Sequence, residues 1–152
     1  MDKTMLNALI AIGILFGAIL FPGCSSTVNR SKANSVNFEQ INITIPEITE
    51  TATFYKYESQ DKTVSFFAVK SFGGKIKVAF NACDVCYPEK KGYRQEGNYM
   101  VCNYCGLKFS INEIGTENKV GGGCWPSYLP FQVRGNNIVI EKSALEDGKW
   151  RF

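Results

Sequence analysis

The run "TVSFFAVKSFGGKIKVAFNACDVC", residues 63–86, holds the two features on which a reading of this chain turns. Its first part is two segments rich in β-branched and aromatic residues, TVSFFAVK and KIKVAF, around the glycine turn FGG at 72–74. Such side chains suit a pleated surface, and glycine supplies the backbone angles of a tight turn, so the pattern predicts a β-hairpin. Its last four residues are two cysteines separated by two positions.

Outward from this run the period-two signal continues. "INITI" places Ile41, Ile43 and Ile45 on one face, and "ATFYKYE" leads into the polar turn "SQDK". Downstream, "YMV", "GLKFSI" and "PFQVRGNNIVIE" read as short strands, the last divided at Gly135 and Asn136. Only "SALED" suggests a turn of helix. The fold class is therefore all-β, built of small antiparallel sheets over residues 45–152, after a linker and first strand at 24–44. A chain of 152 residues, 45% hydrophobic and 20% charged, suits one such domain. Its 11 Phe and 7 Tyr are expected in the core and in cross-strand pairs. A net charge of +3, without a concentrated basic stretch, argues against a nucleic-acid partner.

The N-terminus has the layout of an export signal. A short polar start, "MDKTMLN", precedes the uncharged run "ALIAIGILFGAILF", then "PGC" and a Ser/Asn-rich stretch. Gly23 and Cys24 fit the lipobox of bacterial and archaeal lipoproteins, which this stretch resembles, whereas Phe21 and Pro22 depart from it. The resemblance implies lipidation of Cys24; the alternatives are an uncleaved single anchor and plain secretion. Residues 1–23 are thus a lipoprotein-type signal peptide or a membrane anchor. All three place the domain outside the cytoplasm, and the first two, which are preferred, tether it to the cell membrane.

Six cysteines and no histidine set the chemistry. Cys83 and Cys86 form one pair, and Cys102 and Cys105 the next, with fifteen residues between them. Two such pairs on tight turns aim four sulfurs at one point, which is a strong metal-site pattern. Gly106 after the second pair lets backbone N–H groups turn toward sulfur. Four thiolates suit zinc, a single iron or an iron–sulfur cluster, and outside the cytoplasm the pairs could instead be disulfides. Cys124, in "GGGC", is a candidate fifth ligand, resolving thiol or disulfide partner; the plain reading is a small packed residue beside Trp125. The run before Cys24 carries no Arg, the first being Arg30. Export in an unfolded state would leave metal to be acquired outside, which favours zinc, a single iron or copper.

The segment "FFAVKSFGGKIKVAFNACDVCYPEKKGYRQEGNYMVCNYCGLKFSINEIG", the following "GGGC" and "NNIVIEKSAL" resemble the C-terminal domain of the FtrD-like family of membrane iron–sulfur proteins. The resemblance implies iron–sulfur or iron redox chemistry at Cys83, Cys86, Cys102 and Cys105. It also implies membrane redox or iron-transport proteins as partners. Many members carry several transmembrane helices ahead of this domain; the single short apolar segment here argues against a channel. More distantly, the order of two cysteine loops, a Gly-rich third loop and a Pro-led hairpin resembles a Rieske domain. On that frame Cys86 and Cys105 stand where histidines stand, and Cys124 lies over the metal. All-thiolate ligation would place a cluster near about −400 mV, below the roughly −150 to +300 mV of histidine-ligated ones.

The chain offers no histidine base, no Gly-x-Ser-x-Gly segment and no phosphate loop, so an electron carrier or metal-handling protein is expected, not an enzyme. Structural zinc binding and thiol–disulfide exchange are the alternatives. Lys90, Lys91 and Arg94, between the pairs, are expected to form a solvated rim. For the tether, mass spectrometry of the mature protein should show a lipid-sized increment that Cys24→Ala removes. A native chain that still begins at Met1 without lipid would establish the uncleaved anchor.

Overall fold

The computed structural model describes residues 40–115 and 123–152; the apolar N-terminal run, Cys24 and the linker lie outside the described residues, as do Gly121 and Gly122. Residues Val36–Phe152 make one compact unit. The described residues form strands β1 (Gln40–Thr44), β2 (Thr53–Glu58), β3 (Thr63–Lys70), β4 (Ile76–Phe80), β5 (Tyr93–Glu96), β6 (Tyr99–Cys102), β7 (Lys108–Ser110), β8 (Gln132–Arg134) and β9 (Asn137–Glu141), then helix α1 (Lys142–Gly148). They assemble as three antiparallel sheets of three strands, ordered β1-β9-β8, β2-β3-β4 and β5-β6-β7. The protein is all-β with small antiparallel sheets.

Strand β3 explains the arrangement. Val64, Phe66 and Ala68 point into one core, whereas Phe67 and Val69 point into another, and all five are fully buried. A strand covered on both faces reads as a near-continuous apolar run, and TVSFFAVK does. The first core is completed by Ile43, Ile138 and Ile140 of the terminal-strand sheet and by Leu145 of α1. The second contains Tyr93, Met100, Cys102 and Phe109 of the third sheet, with Cys83 and Cys86. Cross-strand aromatic pairs tie β2 to β3: Tyr55 stacks on Phe66 at 5.3 Å, and Phe54 tilts against Phe67 at 5.6 Å.

Two details differ from the sequence reading. Ile45 leaves the strand for a 3-10 turn, Ile45–Glu47, because Pro46 has no N–H to continue the ladder. The polar "YRQE" forms β5, since Gly97, at φ 55°, and Asn98 fold it back on β6. The helical turn expected at SALED is the short α1, continued by a 3-10 turn over Lys149–Arg151.

Helix α1 ends against the middle sheet. Gly148 is buried, and a methyl group there would overlap the Phe80 ring. Gly148→Ala should therefore lower stability by about 1–3 kcal/mol, as overpacking does. Urea unfolding followed by far-UV circular dichroism checks this, and an unchanged midpoint would mean that the ring is free to move aside.

Candidate metal centre

The two cysteine pairs leave from different sheets. Cys83 follows β4 by three residues, and Cys102 is the last residue of β6. The second core presses these sheets together, so the ends of β4 and β6 bring the pairs to one place. Cys83 and Cys102 are buried, as is Cys86; Cys105 is exposed and Cys124 half-buried.

Each pair turns so that peptide N–H groups face sulfur. The Cys86 N–H donates to Cys83 Sγ at 3.0 Å. In the second loop Gly106 adopts φ 74°, its N–H donates to the Cys102 carbonyl at 3.0 Å, and the Cys102 N–H donates to the Leu107 carbonyl at 3.0 Å. The Leu107 N–H then reaches the Cys105 thiol. The first loop has no glycine after its second cysteine. It continues as a 3-10 turn, Tyr87–Glu89, with Lys90 in the left-handed region at φ 52°.

Cys124 is brought in by a third segment that is strapped to the first loop. The Phe80 N–H donates to the Ser127 carbonyl, and the Ser127 N–H to the Ala82 carbonyl, both at 2.9 Å. The Asp84 carboxylate, inside the first pair, accepts from Ser127 Oγ at 2.8 Å and from Arg151 Nε at 2.7 Å. One acid thus joins the first loop, the third segment and the C-terminal turn.

Cys86 is the common member of the resulting cluster. The sulfurs of Cys83, Cys86 and Cys124 lie within 4.8 Å of one another, as do those of Cys86, Cys102 and Cys105. Cys86 Sγ is 3.3 Å from Cys124 Sγ. Burial pushes the Cys86 thiol up, and its contacts with Cys124 and the neighbouring charge of Cys83 add to this. Burial likewise raises Cys124. The Leu107 N–H holds Cys105 below the ordinary thiol range. Cys105 thus ionises more easily than an ordinary thiol, and Cys86 and Cys124 less easily; a metal that replaces thiol protons couples its binding to proton release. Soft sulfur donors with N–H groups directed at them fit iron, an iron–sulfur group or zinc.

Several residues that frame the cluster carry no signal in spacing alone. The Tyr93 hydroxyl, buried, donates to the Cys124 carbonyl. Burial raises its pKa, and contact with the Cys83 thiol raises it further, so it stays a donor. The Asn81 Oδ1 accepts the Tyr93 N–H at 2.7 Å. Gly92, at φ 60°, is needed here because a Cβ would sit 2.6 Å from that Asn81 side chain. Gln95 bridges β5 to the chain before β2, accepting the Ala52 N–H and donating to the Glu50 carbonyl. The string "KGYRQEG" thus encodes a bracket for the cluster. Phe109 packs on Trp125 at 4.7 Å, and Trp150 meets Tyr87 edge-on at 4.9 Å. Arg94 is on the exposed rim, paired with Glu96, whereas Lys90 and Lys91 line a cavity beside the cysteines.

A small β domain that gathers four free thiols around a fifth, that of Cys86, is a metal-competent, thiol-rich protein. The model of the family described as "Membrane iron-sulfur containing protein FtrD-like" matches residues 48–152, and the chain belongs to that family. The family's description joins membrane association to an iron–sulfur group, and the cysteine cluster is compatible with both iron and sulfide chemistry. No curated protein and no solved structure matches the chain. Among the described residues no helix is long and apolar enough to cross a membrane.

Removing the Tyr93 hydroxyl leaves the Cys124 carbonyl without its buried donor. Tyr93→Phe should cost about 1–3 kcal/mol of stability. It should also speed amide hydrogen exchange in residues 123–128 while leaving metal content near normal. Unchanged exchange there would show that the backbone bonds to Ala82 and Phe80 suffice to hold the segment.

Proposed function

We propose that this protein is a one-electron carrier tethered to the extracytoplasmic face of the membrane, by lipid on Cys24 or by its N-terminal segment, and accessory to iron uptake. Cys83, Cys86, Cys102 and Cys105 would hold iron, as an iron–sulfur group or a single ion. When bound, an all-thiolate iron–sulfur group supplies one-electron chemistry near about −400 mV. The protein's part is to fix the sulfurs and direct N–H groups at them. Cys124, resting on Cys86, would tune or protect the centre without building it.

The observation that carries this reading is the uneven exposure of the cluster. Cys83, Cys86 and Cys102 are buried and Cys124 is half-buried, while Cys105 reaches the surface. The same two loops expose apolar side chains: Val85 at 56%, Tyr104 at 53% and Leu107 at 54%. Apolar loop tips around one exposed ligand suit a brief, dry contact with a redox partner. A structural zinc site gains nothing from such an edge. The 3.3 Å approach of Cys86 to Cys124 favours a second reading, thiol–disulfide exchange, in which the two thiols form a disulfide as a partner protein's disulfide is reduced to two thiols.

The test is anaerobic purification from membranes, with iron, zinc and sulfide measured per chain. We expect visible absorption that bleaches on one-electron reduction. Cys86→Ser, which removes a member of both sulfur triads, should lose most of the iron; Cys124→Ser should keep it and shift the potential. A colourless protein holding zinc overturns the redox reading. Equal iron loss in the two variants makes Cys124 a primary ligand and ends the four-cysteine assignment.

A further inference from the structure

Beside the cysteine cluster lies a cavity of about 520 Å³, within the usual size of small-molecule sites. Cys83, Cys86 and Cys102 line it, together with Lys62, Lys90, Lys91 and Arg151. We propose that this cavity binds a small polycarboxylate anion next to the centre. The inference goes beyond the electron-carrier reading and does not depend on which metal the cysteines hold.

Charge is the first argument. Arg151 is engaged by Asp84 at 2.7 Å, and Asp61, the acid lining the cavity, is engaged by Lys149 at 3.3 Å. What remains is cationic. Lys62 reaches only the Lys149 carbonyl, at 3.4 Å, and Lys91 lies 5.5 Å over the Tyr104 ring. Lys62, Lys90 and Lys91 form no ion pair among the described residues. Lys90 and Lys91 are exposed at the mouth of the cavity and Lys62 is half-buried, so the three charges border a concave space and not a flat face.

Backbone conformation is the second argument. Lys90 is the one non-glycine described residue with positive φ, at 52°. Gly or Asn occupies that region at lower cost. The chain instead keeps a long cation there, and the bend presents Lys90 and Lys91 together at the cavity.

The arrangement favours carboxylates over phosphate. Phosphate sites draw on an arginine fork, a helix N-terminus or a nest of N–H groups. The cavity's arginine is already paired, and α1 does not line it. Lysines supplied by two separate loops suit an anion whose charges are several bonds apart.

The probe is tricarballylate, a tricarboxylate without citrate's chelating hydroxyl, titrated into the full-length, metal-loaded protein by calorimetry at low ionic strength. Metal content is measured before and after. We expect one binding event, weakened by about tenfold or more in a Lys62→Gln, Lys90→Gln variant. The exposed turn variant Lys75→Gln should bind as wild type does. Inorganic phosphate should compete poorly. Lys90→Gly removes the charge while relaxing the backbone, so its loss of binding cannot be put down to misfolding. Absence of binding, equal affinity in the lysine variants, or phosphate binding as tightly as the tricarboxylate would each overturn the proposal. If the natively purified protein carries no iron yet binds the tricarboxylate, its lack of iron sinks the electron-carrier reading and the anion site stands; intact iron without binding sinks only the anion site.

Discussion

Strand β3 is buried on both faces, and the rest of the molecule is arranged around that condition. Two buried faces require two covering layers. The β1-β9-β8 sheet with α1 supplies one, and the β5-β6-β7 sheet supplies the other. The second layer is small, and its apolar contacts with β3 and β4 include Cys83, Cys86 and Cys102 themselves. The cysteines are therefore part of the packing that orients them. A thiol in a core behaves as a small apolar group, so the cluster is stabilised by burial before any metal contributes.

Convergence of the sulfurs does not rest on the cysteines alone. Backbone bonds from Phe80 and to Ala82 dock the third segment, and Asp84 ties that segment and Arg151 to the first loop. The second loop is shaped by its own peptide groups through Gly106. Three loops held by separate means meet at Cys86. Such preorganisation lowers the ordering cost that a metal would otherwise have to offset.

The legible parts of the sequence were those with local causes. The β3–β4 and β8–β9 hairpins follow from β-branched runs and glycine turns, and the paired cysteines announce themselves by spacing. Strand β5 did not show, because YRQE has no apolar alternation and exists by pairing with β6. Spacing names the cysteines but not which sulfur is central; Cys86 gains that place from three loops far apart in the chain. The bracket of Asn81, Gly92 and Tyr93 is likewise a tertiary fact, although "KGYRQEG" is distinctive as a string. Lys90 and Lys91 look like ordinary rim charges until the left-handed turn at Lys90 sets them at the cavity.

The chain has two tryptophans, and each sits beside the cluster. Trp125 follows Cys124 directly and packs on Phe109, while Trp150 stands edge-on to Tyr87, the neighbour of Cys86. Indole emission is sensitive to local polarity and is quenched by nearby absorbing or thiol groups. The protein therefore carries two native indoles, each next in sequence or in contact to a residue of the thiol loops, with no other indole to dilute the signal. Trp150 also faces the Arg151 guanidinium at 4.2 Å, so its emission should follow the ion pair that Arg151 makes with Asp84. Filling of the centre and movement of the first cysteine loop can be watched separately, in unlabelled protein, by replacing one tryptophan at a time.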